Sequence, residues 1–144
     1  MRRLCSLVFA LLVLPGLAWA APEGKVVIAQ GVDPTTLDTQ NQQETPASVV
    51  ASHLFDTLVE RDQNLKMVPA LAAELPKLVG PTTWEVKLRQ GVKFHNGEEF
   101  NAESVKFSLE RVKTGLRASS NFRPIEKVDI VDAYTVRVQT SKPW

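Results

Sequence analysis

Few side chains in this 144-residue chain stand in a spacing that does covalent chemistry. The two histidines, His53 and His95, have no Cys, Asp or Glu at metal-ligand spacing, and Cys5 is the single cysteine. Neither a Gly-x-Ser-x-Gly elbow nor a His-Glu-x-x-His pair occurs. A Ser–His–Asp set can be assembled from scattered positions in almost any chain and carries no information. A small secreted hydrolase is therefore disfavoured, and no metal or cofactor is expected. Recognition chemistry remains. Ser119-Ser120-Asn121-Phe122-Arg123 sets an aromatic ring beside a guanidinium, a combination that suits an apolar ligand group next to a carboxylate. The competing reading makes Arg123 a surface charge and Phe122 the cover of a strand end.

The elements that would position such residues follow from periodicity. Lys25 to Gln30, rich in β-branched residues and ended by Gly31, reads as a buried strand. Asp33 to Asn41 reads as an irregular polar connection. Thr45 as N-cap, Pro46 at the first helical position, and Val50, Leu54 and Leu58 every four residues predict a helix from about Pro46 to Glu60. Arg61-Asp62-Gln63-Asn64 is a turn, Val68 to Leu75 a short helical segment ended before Pro76, and Gly80-Pro81 a break.

From Thr83 the period becomes two. Trp84, Val86 and Leu88 face a core while Glu85, Lys87 and Arg89 face water, the pattern of a half-buried antiparallel strand. Val92 and Phe94 continue it after Gly91, with Trp84 and Phe94 expected in the core. Asn96-Gly97 is a turn that accepts positive φ. Asn101 caps a helix from Ala102 to about Lys113, with Ala102, Val105, Leu109, Val112 and Leu116 on one stripe. Thr114 to Arg123 is loop-like, and Val128, Ile130, Tyr134, Val136 and Val138 form two strands around Asp132-Ala133. The physical inference is an α+β fold, mixed α/β with mainly antiparallel pairing.

Composition bounds the setting. With 44% hydrophobic and 23% charged residues, the chain is that of a globular protein. Arg2-Arg3, the apolar run Leu4 to Leu14, and Ala18-Trp19-Ala20 read as a signal peptide over residues 1–20, cleaved after Ala20. The apolar run falls short of the roughly 20 residues that span a bilayer. Residues 21–144 then carry 15 basic and 16 acidic residues, which gives no reason to expect nucleic acid as a partner. That mature chain has no cysteine, so core burial alone must stabilise it in an oxidising compartment.

The run Trp84 to Arg111, WEVKLRQGVKFHNGEEFNAESVKFSLER, resembles the signature segment of bacterial extracellular solute-binding proteins of family 5. These are the peptide, nickel and opine receptors of ATP-binding cassette importers. KVVIAQGVDPTTLDTQNQ resembles the family's first strand and following loop, SHLFDTLVERDQNLKMVPALAAEL its helix-and-turn segment, and the Phe122 to Lys142 tail a strand pair. Departures are Thr39 in place of Pro, Thr57 in place of Gly, and Val79-Gly80-Pro81-Thr82 in place of an Asp-Gly turn.

The resemblance implies a monomeric binding protein rather than an enzyme. Its fold would be the N-terminal lobe of a two-lobed type II periplasmic-binding-protein fold, with residues 21–144 forming the first lobe and ending inside it. A truncated or inactive fragment is the alternative. Implied partners are a small peptide or related solute (nickel chelate, opine or glutathione) and the membrane permease of the importer. The resemblance places Gln43, Glu44 and Thr45 on the cleft wall, where relatives pair backbone with an extended peptide, a form of strand addition. The competing reading is that Thr45 only caps a helix and Gln43 and Glu44 are solvated.

Overall fold

Alternating apolar residues become strands only where partners satisfy their backbone groups, and the tail of the chain supplies those partners. The computed structural model describes residues 24–25 and 27–143; the expected signal peptide and Cys5 lie outside them. The chain runs through a 3-10 turn (Thr39–Asn41), α1 (Thr45–Ala51), β1 (Val59–Arg61) and β2 (Met67–Pro69). It continues through β3 (Lys77–Gly80), β4 (Thr83–Lys87), α2 (Ala102–Val112), α3 (Ser119–Phe122), β5 (Ile125–Asp132) and β6 (Thr135–Thr140). Strands β3-β4-β6-β5, in that order, form one sheet and β1-β2 a separate hairpin, all antiparallel.

The register builds the core. Trp84 pairs with Val138 and Val138 with Val128; Val86 pairs with Val136 and Val136 with Ile130. These rows face α2, whose Ala102, Val105 and Val112 are buried. On the other face Arg137 Nε and Nη2 donate to Glu85 Oε2 at 3.0 and 2.9 Å. α2 starts where Asn101 Oδ1 accepts from Glu103 and Ser104 N–H at 3.0 and 3.2 Å, while Ser104 Oγ accepts from Asn101 N–H, completing a capping box. Gly97, at φ 90°, closes the Asn96-Gly97 turn by donating to Phe94 O at 2.9 Å. Among the described residues no helix is long and apolar enough to cross a membrane.

Several expectations are corrected. Lys25 to Gln30 forms no strand among the described residues; Val27 and Ile28 are exposed, because no sheet edge pairs with them. The helix foreseen over 46–60 stops at Ala51, and Val59-Glu60 belongs to β1. Pairing overrides helical spacing there: Leu58 O accepts from both Ala70 and Ala72 N–H, at 3.1 and 2.9 Å. The same pairing makes Met67–Pro69 a strand rather than the start of a helix. Gly80-Pro81 is not a break but the hairpin between β3 and β4. Phe94 is 45% exposed rather than core, set edge-on to buried Phe100 at 6.1 Å. The 114–123 loop contains the short α3.

Two substitutions test this architecture by thermal or urea unfolding. Asn101→Ala is expected to cost about 1 kcal/mol through loss of the cap. Val136→Ala, in the fully buried row, is expected to cost about 2 kcal/mol from lost burial and the cavity left behind. Equal costs at the two positions would contradict the assignment of the core to the β4-β6-β5 face.

Candidate functional site

The polar connection before α1 is a strap tied to α2. Thr36 Oγ1 accepts from Asp38 N–H at 3.1 Å, and Asp38 Oδ1 accepts from Gln40 N–H at 3.2 Å, capping the 3-10 turn. Arg111, in the last turn of α2, donates from Nη1 to Asp38 Oδ1 at 3.0 Å and to Gln40 Oε1 at 2.7 Å, and from Nη2 to Asp38 Oδ2. Gln40 Nε2 donates to Ser108 O at 2.9 Å, and Gln40 O accepts from Ala118 N–H at 3.0 Å. The hydrogen bond from Arg111 holds the Asp38 carboxyl below its ordinary value of 3.8, against a smaller upward push from desolvation. Asp38 in turn raises the Arg111 pKa.

Beside this network lies an open cavity of about 470 Å³. Asp38, Gln40 and Arg111 form a polar wall, and Phe55, Phe94 and Phe107 an apolar one. These three rings are about half exposed or more and form the cavity's apolar rim. His95 also lines the cavity, whereas His53 sits after α1 with Nδ1 2.7 Å from Val49 O. Among the described residues no cluster of His, Cys, Asp or Glu is arranged to hold a metal ion.

Of the residues singled out from the sequence, Gln43 donates from Nε2 to Arg117 O at 2.7 Å. Glu44 lies 3.8 Å from Arg117 Nη1 while accepting from Thr35 Oγ1 at 3.1 Å. Gln43 and Glu44 are therefore both tied to Arg117, in the loop before α3. Thr45 is the first residue of α1 rather than its cap; Glu44 is the N-cap residue and makes no side-chain capping bond. Gln42 and Glu44 are extended (φ −140°, ψ 158° and φ −103°, ψ 138°). Among the described residues the Gln43 backbone N–H and carbonyl form no hydrogen bond, whereas Glu44 N–H donates to Gln42 Oε1 at 2.8 Å. Arg123 is exposed and, among the described residues, forms no ion pair. Phe122 is half-buried and packs against the core with Trp84 and Ile125, so it does not share a site with Gln43.

The Asp38–Gln40–Arg111 network was not foreseen. Its only local signal is a basic residue in the last turn of α2, which helix ends favour without a carboxylate partner.

The fold just described matches a part of the fold of type II periplasmic binding proteins. It superimposes on the oligopeptide-binding protein AppA of Bacillus subtilis, in complex with a nonapeptide, with TM-score 0.71 and 23% identity, over 76% of this chain and 22% of that one. NikZ of Campylobacter jejuni, in complex with Ni(L-His), superimposes with TM-score 0.60 and 30% identity, over 63% of this chain and 19% of that one. In sequence, the glutathione-binding protein GsiB of Escherichia coli O1:K1 is 32% identical over 144 residues, 98% of this chain. Residues 66–144 match the model described as "Bacterial extracellular solute-binding proteins, family 5 Middle", and the chain belongs to that family. It spans 28% of the length of the GsiB relative.

The lowered Asp38 pKa fixes the sign of a pH dependence. The tether is present in full above the carboxyl's ordinary value and is lost as pH falls through the lowered one. The strap amides Asp38 to Asn41 are expected to lose hydrogen-exchange protection below about pH 4, ahead of the sheet amides. Asp38→Asn should remove that step.

Proposed function

We propose that the chain is the N-terminal part of the substrate-binding component of an ATP-binding cassette importer. In this reading residues 1–20 direct it to the periplasm, and residues 21–144 contribute to the first lobe of a longer receptor. Its partners are a solute and the importer's membrane permease. The observation that carries the reading is the family match over residues 66–144, joined to 32% identity across nearly the whole chain.

Short peptides are the proposed solute. The relatives' ligands include glutathione, itself a tripeptide, and a nonapeptide. The unpaired Gln43 backbone, flanked by extended Gln42 and Glu44, supports the same chemistry. An extended segment with free N–H and C=O groups can add a peptide as a further strand, independent of the peptide's side chains. Gln43, Glu44 and Thr45 are thus proposed as ligand-facing, with Gln43 as the main backbone contact. Arg123, exposed near the same loop, is proposed as a contact for the peptide carboxylate. Phe122 keeps a subordinate role behind it. Nickel chelates stand as the second reading, favoured only by NikZ.

Calorimetric titration of residues 21–144 with trialanine, glutathione and a nickel–histidine complex tests this. Trialanine or glutathione is expected to bind, with Gln43→Pro weakening binding about tenfold, a loss of roughly 1.4 kcal/mol, and Gln43→Ala changing it little. Heat from the nickel complex alone would contradict the peptide reading.

A further inference from the structure

The strap that carries Gln43 has almost no apolar hold on the rest of the molecule. Its 3-10 turn contains no buried residue, and Leu37 is 52% exposed. Its path therefore depends on polar bonds, and Arg111 makes three of them. Resting on the peptide-binding reading above, we propose that Arg111 is a positioning residue of that site, holding the extended Gln42–Glu44 segment in place without touching ligand.

The geometry gives Arg111 that role for three reasons. First, it stands on a rigid base, because Val105 and Val112 of the same helix are buried, Val105 in one cluster with the sheet. Second, its planar fork meets both oxygens of Asp38 and also Gln40 Oε1, fixing two strap residues at once. A lysine ammonium has no such fork and reaches fewer acceptors in a fixed geometry. Third, Asp38 already caps the 3-10 turn through Gln40 N–H, so a single carboxylate joins the shape of the strap to its attachment.

The remaining ties come from Gln40 within the turn and Gln43 and Glu44 beyond it, and act in the same direction. Gln40 bonds Ser108 O and Ala118 N–H, and Gln43 Nε2 bonds Arg117 O. The Glu44–Arg117 pair is exposed and 3.8 Å apart, a separation at which surface pairs contribute little. Gln43 follows Gln40 by three residues, at most about 11 Å of extended chain. Loss of the three Arg111 bonds thus frees Asp38 and leaves the strap tied only through Gln40 and one side-chain bond from Gln43.

Arg111→Gln and Arg111→Lys, made in the mature chain, test this with three readouts. These are the rate of Glu-C protease cleavage after Glu44, the affinity for trialanine, and the thermal midpoint. Arg111→Gln is expected to raise cleavage after Glu44 and to weaken trialanine binding, each about tenfold. Cleavage after Glu85, in β4, should stay unchanged and the thermal midpoint should move little. Arg111→Lys should fall between Arg111→Gln and wild type. Cleavage after Glu85 rising in step with Glu44 would make Arg111 a general stabiliser and overturn the proposal. Wild-type binding of trialanine that Arg111→Gln leaves intact would overturn the proposal alone. A wild-type chain that binds neither trialanine nor glutathione would overturn the peptide reading, and the proposal with it.

Discussion

The antiparallel register between β4 and β6 is the constraint from which the other contacts follow. It joins residues 83–87 to residues 135–139, far apart in the chain, and sets Val86 against Val136 and Trp84 against Val138. A slip of one residue would turn Val136 and Val138 to water and drive Arg137 toward α2. The cross-strand bond from Arg137 to Glu85 is available only in the observed register. Both faces of the sheet thus specify the same pairing.

Other elements attach to this pair in sequence. β5 extends the sheet on one side and β3 on the other. Ala102 N–H donates to Ala133 O at 2.9 Å, setting the start of α2 against the turn between β5 and β6. Ala72 bridges to Leu88, bringing the β1–β2 hairpin to the end of β4. The strap joins last, by polar bonds to the far end of α2. Local stability should fall along that order, since elements with few buried apolar contacts open first. The residues proposed to meet ligand sit at the least stable end, a common place for binding segments.

Legibility in the sequence followed the range of the deciding interaction. α2 was readable because Asn101, Ser104 and the Ala102–Val105–Val112 stripe lie within one local window. β4, β5 and β6 were readable because alternation over four or more residues suits a half-buried strand and little else, even though their order in the sheet was not legible. The segment 46–60 carries a misleading local signal, because Val50, Leu54 and Leu58 keep helical spacing while serving different elements. Val50 belongs to α1, Leu54 lies in the following turn, and Leu58 binds the backbone of Ala70 and Ala72. Nothing local marks that long-range pairing.

The same limit applied to the site. Gln43 and Glu44 were singled out through family resemblance, yet the residue tying down their strap, Arg111, lies 73 residues from Asp38. Val27 and Ile28 show the converse, since β-branched residues make a strand only beside a partner edge. Native-state hydrogen exchange of the mature chain, residue by residue, tests this organisation directly. Val86, Leu88, Val136 and Val138 are expected to exchange only through global unfolding, with strap amides Gln40 and Asn41 opening locally and sooner. Sheet amides that exchange as fast as the strap would contradict it, because the β4–β6 pairing could not then be what organises the fold.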